Sequence, residues 1–213
     1  KDEPGSSLAH FNLATIYARE KRFRPSADEY REALRLDSGN DVARVSLVKT
    51  LVGLAEFDEA LPLIQDYAQR KPDDFEAHYV LGTVERGLGR YEPAERELKR
   101  AMQMDPNHYD VRYNLGFVLA KLGKPQEALP HLQKALELHP GSAEARFQLA
   151  GVLRALNQPE RSHQEFQNRI GKAAGRAGKC RGGQSHGSQP AARKRGRGRG
   201  RSGLSGGVET RSK

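Results

Sequence analysis

The sequence predicts an all-α protein, an α-solenoid of tandem helix-turn-helix units followed by a disordered basic tail. Two observations carry this prediction: a pattern of apolar and small residues that repeats every 34 residues, and a change of composition near residue 171. Hydrophobic residues make up 36% of the 213-residue chain, charged residues make up 30%, and tryptophan is absent. This hydrophobic content is low for one large core, but it suits a thin stack in which each unit covers its neighbour.

The repeat is visible in three columns whose members stand 34 residues apart. The first column joins a leucine to a small or aliphatic residue: Leu13-Ala14, Leu47-Val48, Leu81-Gly82, Leu115-Gly116 and Leu149-Ala150. The second column holds small residues: Ser26, Ala60, Ala94, Ala128 and Ser162. The third is mostly bulky: Tyr30, Ile64, Leu98, Leu132 and Phe166. The columns stay in phase from about residue 7 to residue 166 without an insertion or deletion, which indicates a repeat architecture.

The spacing within the third unit predicts two helices joined by a short turn. Residues 87–89 read Gly-Leu-Gly and end the first helix, because glycine readily adopts a positive φ. Pro93 begins the second helix, where its missing N–H costs nothing. Gly82 and Ala94 are small, so we expect the backbones of the two helices to approach closely at this point.

The order of the columns resembles the tetratricopeptide repeat pattern, which has a 34-residue period. The fourth unit is the clearest copy: Asn114-Leu115-Gly116, Leu122-Gly123, Ala128, Ala135 and Pro140. The resemblance covers roughly three-quarters of the chain and implies a right-handed superhelix. It divides the chain into an N-terminal segment (1–6) and five units: 7–40, 41–74, 75–108, 109–142 and 143–170, the last degenerate and incomplete.

Two features depart from the family pattern. The position that carries tryptophan in the family holds basic side chains here: His10, Arg44, His78, Arg112 and Arg146. Because His10 and His78 share one column, we interpret them as packing or hydrogen-bonding residues of the hairpins. Pro62 and Pro130 lie past the first position of their helices, so we expect those second helices to start late or to bend.

The array decays at its end. Arg169 stands where Ala101 and Ala135 stood, and no convincing capping helix follows, although a solenoid needs one to cover its last apolar face. The chain also begins with Lys1 rather than methionine. We therefore interpret the sequence as a piece of a longer protein.

The tail from residue 171 to residue 213 contains 12 Lys/Arg and one acid, a net charge of +11. Residues 1–170 contain 24 basic and 26 acidic residues, a net charge of −2. We predict a disordered tail, with phosphate-binding candidates Arg193, Lys194, Arg195, Arg197, Arg199 and Arg201. No aromatic residue interleaves to stack on bases. A solvated tail, or a shifted reading frame in a GC-rich gene, remains an alternative explanation.

The resemblance implies that the first helix of each unit lines a concave surface. Its exposed positions are the second, fifth, sixth, ninth, twelfth and thirteenth of the unit. The fifth position carries aromatic rings in four units: Phe11, Tyr79, Tyr113 and Phe147. The sixth carries amides in three: Asn12, Asn114 and Gln148. Phe117 at a ninth position completes this peptide-binding set. The alternative is that the rings pack between neighbouring first helices.

Charged residues follow the same surface. A basic row occupies the ninth, twelfth or thirteenth positions: Arg19, Lys49, Arg86, Lys121 and Arg154. An acidic row occupies the second positions on a different edge: Glu76, Asp110 and Glu144. An acidic or amphipathic peptide would suit such a groove, although surface charges are usually only solvated. No frame matches the carboxylate clamp of chaperone-binding members, so we expect no chaperone tail as the partner.

The sequence offers no chemistry for catalysis. None of the seven histidines shows paired metal spacing, and no P-loop, dinucleotide glycine fingerprint or nucleophile elbow is present. We therefore expect no enzyme activity, metal or cofactor. The single cysteine, Cys180, excludes an internal disulfide and favours a cytoplasmic location. No apolar stretch reaches the ~18 residues of a membrane span, so we expect no membrane association.

These observations predict a protein-interaction scaffold that binds a peptide or a partner segment in its concave groove. Two alternatives stay open. One is a nucleic-acid-associated protein that uses the Arg/Gly-rich tail. The other is the detached arm of a larger enzyme or assembly component.

Overall fold

The computed structural model describes residues 6–165 and 167. In this part of the chain the helices are α1 (Ser7–Arg19), α2 (Phe23–Leu36), α3 (Asp41–Leu54), α4 (Phe57–Arg70), α5 (Phe75–Gly87), α6 (Tyr91–Met104), α7 (Tyr109–Lys121), α8 (Pro125–Leu138) and α9 (Ala143–Ala155). Residues 159–165 are helical again. Phe166 of the third column, the tail at 171–213 and its six candidate cations lie outside the described residues.

The helices form a stack of antiparallel hairpins. Each helix packs against the next one in the chain, and the first helices also contact one another in the order α3, α5, α7 and α9. The described residues contain helices and turns but no strand. The predicted all-α solenoid is therefore confirmed.

The starts of the first helices are fixed by side chains that recur with the period. Four residues cap a helix by accepting a hydrogen bond from a backbone N–H three residues ahead, at 2.9–3.1 Å: Ser6, Asn40, Asp74 and Ser142. His108 occupies this position in the fourth unit without a side-chain cap. Such caps satisfy an N–H that the helix itself leaves unpaired. They support the division of the chain into five units, which remains our proposal.

The turns between first and second helices share one backbone conformation. Five residues, each 34 positions from the next, have a φ between 56° and 74°: Lys21, Ala55, Gly89, Gly123 and Asn157. The predicted role of Gly89 is confirmed. The three members that are not glycine adopt the same left-handed conformation at some steric cost.

The prolines do not set the starts of the second helices. α6 begins at Tyr91, two residues before the predicted Pro93, and α4 and α8 begin one period before and after it. The expectation that α4 and α8 start late was therefore wrong. Pro62 and Pro130 lie inside these helices with exposed rings, while the buried faces of α4 and α8 pack against their neighbours. This packing maintains the helix despite each proline's missing N–H.

The core consists of two clusters of buried side chains. The first is built by α1–α5 and the second by α6–α9. Small residues bring the paired helices together, as predicted: a Cβ added to Gly82 would lie 2.8 Å from Leu98 Cγ. At Gly116 the corresponding distance to Leu132 Cγ would be 2.6 Å. A larger residue at either position would therefore force the two helices apart.

Candidate functional site

The candidate site is the surface formed by the concave positions of α1, α3, α5, α7 and α9, here called the concave face. Tyr79 lies at its centre. The ring of Tyr79 is stacked on Phe75 at 5.9 Å and lies 5.2 Å from the ring of His108. Burial, followed by the nearby charges of Asp110 and Glu76, raises the pKa of Tyr79 to about 12. Tyr79 contacts both core clusters, so its first role is to hold neighbouring units together.

The other rings of the column differ in how far they are covered. Phe11 is half-buried against Tyr30, with ring centres 5.7 Å apart. Tyr113 is also half-buried, is stacked on Tyr109 at 6.2 Å, and has a pKa raised by burial. Phe147 is 47% exposed. The packing alternative therefore describes Phe11 and Tyr79 well, while Phe147 offers about half of its surface to a partner.

A shallow groove lies between α7 and α9 beside the exposed Phe147. Its volume is about 250 Å³, and its lining includes Tyr113, Glu144, Phe147 and Gln148. An aromatic pair, an amide and a carboxylate thus share one surface. These are side chains that can contact an apolar residue and hydrogen-bond a peptide backbone together.

The amide column is used partly by the fold itself. Asn114 is buried, and its Nδ2 donates to Thr83 Oγ1 at 3.4 Å. Thr83 Oγ1 in turn donates to the carbonyl oxygen of Tyr79 at 2.9 Å. This chain of bonds joins α5 to α7. Asn12 is exposed and Gln148 is half-buried, so these two amides remain more accessible than Asn114.

Two cations of the basic row meet at one ring. The guanidinium carbon of Arg86 lies 5.2 Å from the centre of the Phe117 ring, and Lys121 Nζ lies 5.5 Å from it. Both distances are typical of cation–π contacts. Phe117 and Arg86 are half-buried, whereas Lys121 is exposed.

The basic and acidic rows are not separate along their whole length. Lys49 of α3 forms an ion pair with Glu76 of α5, so the two edges meet there. Arg19 and Arg154 are exposed in the last turns of α1 and α9. Cations in the last turn of a helix are stabilised by the helix dipole, which accounts for their position without a ligand.

Polar residues within the hairpins form a second set of contacts. His10 Nδ1 lies 2.6 Å from Glu29 Oε2, and His78 Nδ1 lies 2.6 Å from Glu97 Oε2. The predicted hydrogen bonding of these histidines within the hairpins is confirmed. Their acidic partners were missed, although a constant separation of 19 residues in the sequence was available as a signal.

The described residues contain no group of three or more His, Cys, Asp or Glu side chains that could hold a metal ion. Within the same residues, no helix combines the length and the apolar character of a membrane span. The candidate phosphate-binding residues of the tail lie outside this part of the chain.

Comparisons with known proteins agree with the repeat pattern. Family models described as tetratricopeptide repeat match residues 8–40, 45–109, 109–142 and 131–164. The anaphase-promoting complex subunit 3 of Schizosaccharomyces pombe (strain 972 / ATCC 24843) is 30% identical over 81 residues. That match covers 38% of this chain and spans only 12% of the length of the yeast protein.

Solved structures with the same fold include three proteins of low sequence identity. A crystal structure of MamA protein has a TM-score of 0.66 at 19% identity, covering 81% of this chain and 94% of that one. MamA 41-end from Desulfovibrio magneticus RS-1 has a TM-score of 0.70 at 16% identity, covering 82% and 98%. TTC0263, a thermophilic repeat protein of Thermus thermophilus, has a TM-score of 0.63 at 22% identity, covering 79% and 92%. These similarities show the fold.

Proposed function

Because the chain belongs to the tetratricopeptide repeat family, we propose that it is a scaffold whose concave face binds a peptide or a segment of a partner protein. The family and its relatives are protein-interaction scaffolds in general, and the yeast relative is by its name a subunit of a complex. The proposed role is non-catalytic. The cytoplasmic location favoured by the sequence stays a prediction.

One observation carries the choice of surface: the groove between α7 and α9 with the exposed ring of Phe147. Side chains that dominate binding energy in protein interfaces are typically aromatic and lie in small pockets. Here Phe147 and Tyr113 flank a groove that also contains the Gln148 amide. A partner residue in this groove would cover apolar surface while its backbone meets an amide that both donates and accepts.

The test is recovery of partners by variants of the full chain. We expect Phe147→Ala to lose partner proteins that the unchanged chain captures from its own cells. Leu36→Ala is the matched control, because Leu36 is 41% exposed but lies at the end of a second helix. Equal recovery by the Phe147 variant and the unchanged chain would rule out this part of the concave face.

A second proposed function uses the tail. Residues 171–213 carry the whole excess of positive charge, which favours attraction to nucleic-acid phosphates. Replacing the six tail cations of residues 193–201 with glutamine in the full chain should weaken RNA or DNA binding and flatten its dependence on salt. Unchanged binding would exclude this role for the tail.

The third alternative is that the array is an arm of a larger enzyme or assembly component. The yeast relative supports it, since the matched region is a small fraction of that protein. Sequencing the gene on both sides of this region decides the point. It also tests whether residues 171–213 are in the native reading frame.

A further inference from the structure

Positive side chains of the described residues fall into two groups. Most of those on second helices lie against acids: Arg31 lies 2.9 Å from Glu59, and Lys99 lies 2.6 Å from Glu95. On the concave face Lys49 pairs with Glu76, but four cations form no ion pair within residues 6–165: Arg19, Arg86, Lys121 and Arg154. The concave face therefore carries positive charge that the described fold does not neutralise.

Arg86 shows this imbalance most clearly. Its Nε is buried, and no acceptor in the described part of the chain hydrogen-bonds to it. A buried donor without an acceptor costs free energy, and such groups are rare in folded proteins. The dipole of α5 favours a cation at this helix end, but it does not supply the acceptor that Nε lacks.

The surroundings of Arg86 define what kind of acceptor would fit. Arg86 and Lys121 both lie within 5.5 Å of the centre of the Phe117 ring, which is itself 6.5 Å from the ring of Tyr91. Two positive charges beside half-buried aromatic surface suit a carboxylate whose neighbouring atoms are apolar. A carboxylate also accepts hydrogen bonds from a guanidinium with favourable geometry.

We propose that the concave face binds a protein segment with carboxylates along one side, and that one of them lies between Arg86 and Lys121 against Phe117. This inference rests on the proposed binding function and names the chemistry of the partner. Asp110 and Glu144 lie on the opposite edge, at the starts of α7 and α9. They would repel a uniformly anionic polymer such as a nucleic acid, but they tolerate a segment whose other side is neutral or basic.

The test selects binders from a random 15-residue peptide library displayed on phage, using four forms of the full chain. The first is the unchanged chain, and the second is Arg86→Gln/Lys121→Gln. The third, Arg24→Gln/Lys134→Gln, makes the same charge change on second helices, where both residues face acids. The fourth has the six tail cations at 193–201 replaced by glutamine, since the tail also attracts acidic peptides.

We expect Asp and Glu to be enriched in peptides selected by the unchanged chain, the second-helix control and the tail variant, but not by Arg86→Gln/Lys121→Gln. A peptide from the first selection should bind the Arg86/Lys121 variant with a roughly tenfold larger Kd, a loss equivalent to a charge-assisted contact. Raising the salt concentration should weaken binding to the unchanged chain more than to that variant. Circular dichroism checks that each variant is folded, and Lys121→Gln alone replaces the pair if Arg86→Gln unfolds.

Three results would overturn the inference. Selected peptides without an acidic excess would remove the carboxylate, and an excess that survives in Arg86→Gln/Lys121→Gln would place it elsewhere. An oligonucleotide whose binding is lost in the same variant would assign the cations to phosphate. If peptides are selected without an acidic excess but depend on Phe147, the proposed binding function stands alone. If no peptide is selected at all, both proposals fail.

Discussion

His78 Nδ1 lies 2.6 Å from Glu97 Oε2 across the third hairpin, and His78 Nε2 lies 2.7 Å from the carbonyl oxygen of Pro72. A carbonyl oxygen and an ionised carboxylate both only accept hydrogen bonds. With Glu97 ionised, both ring nitrogens therefore donate and the ring is a cation. Two units later Arg146 donates to Glu165 and to the carbonyl oxygen of Pro140, at 2.9 and 2.7 Å. A permanent cation thus makes the same pair of bonds at the equivalent position.

Replacing His78 should separate the charge of this residue from its size. We expect His78→Arg to keep the stability of the unchanged chain, because Arg146 shows that a guanidinium fits the same partners. His78→Ala should lower the free energy of unfolding by about 2 kcal/mol, since Glu97 then loses a buried donor. Urea unfolding measures both. His10→Ala is the control: the His10–Glu29 pair is more exposed, and an equal loss there would contradict the role of burial.

Glycines inside the helices should respond to alanine in opposite ways. Gly116→Ala should lower the free energy of unfolding by about 2 kcal/mol, because the new Cβ would overlap Leu132 and force the hairpin open. Gly151→Ala should raise it by about 0.5 to 1 kcal/mol, because nothing lies within 4 Å of the added Cβ and alanine favours the helix. Chemical denaturation of the two variants decides the point. A gain at both positions would refute the close approach of α7 and α8.

The left-handed turn positions predict a reciprocal pair of substitutions. Ala55 has a φ of 60°, so Ala55→Gly should raise the free energy of unfolding by about 1 kcal/mol. Gly89 has a φ of 74° with no atom near an added Cβ, so Gly89→Ala should lower it by a similar amount through the backbone alone. Thermal unfolding followed by circular dichroism gives both changes. Shifts of the same sign would show that the turn conformation does not decide the result.

His131 should stay neutral below the pH at which a solvated histidine is protonated. Burial first, and then the charges of Arg112 and Lys99, lower the pKa of His131 from its ordinary value of 6.5, while Glu127 opposes the shift. Arg112 donates from a guanidinium N–H to His131 Nδ1 at 3.1 Å, which requires that nitrogen to be unprotonated. The ring carbon chemical shifts in an NMR titration should therefore show a low pKa, and Arg112→Gln should raise it only partly.

The same shift has a consequence for stability. The unfolded chain takes up a proton on His131 near pH 6.5, before the folded chain does, so this residue lowers stability as the pH falls below about 6.5. His131→Gln should remove that part of the acid sensitivity. Melting temperatures of the two proteins at pH 7.5 and pH 5.5 measure the difference. An equal decrease in both would mean that His131 is not buried as described.

Much of the fold follows from residues that any reader of the sequence can find. Gly82 and Gly116 predict the close approach of the helices, and Gly89 predicts the turn. Pro62 and Pro130 misled because their local cost is smaller than the gain from packing the buried faces of α4 and α8. Local preference alone could not show which effect is larger.

The site was harder to predict because exposure depends on neighbours. Tyr79 and Phe147 occupy the same position of their units, yet the His108 ring covers Tyr79 while Phe147 is 47% exposed. Likewise Asn12 and Asn114 share a column, but Thr83 of the preceding first helix engages only Asn114. A column identifies candidates, and the adjoining unit decides which of them a partner can reach.

The division of the core between α5 and α6 has a practical consequence for making shorter versions of this scaffold. A chain that ends after residue 87 would retain every member of the first cluster. One that ends at residue 74, a boundary of the sequence repeat, would remove Ala77, Val80, Leu81 and Val84 from that cluster. The unit that can be cut from the molecule is therefore half a repeat out of step with the unit that is written in its sequence.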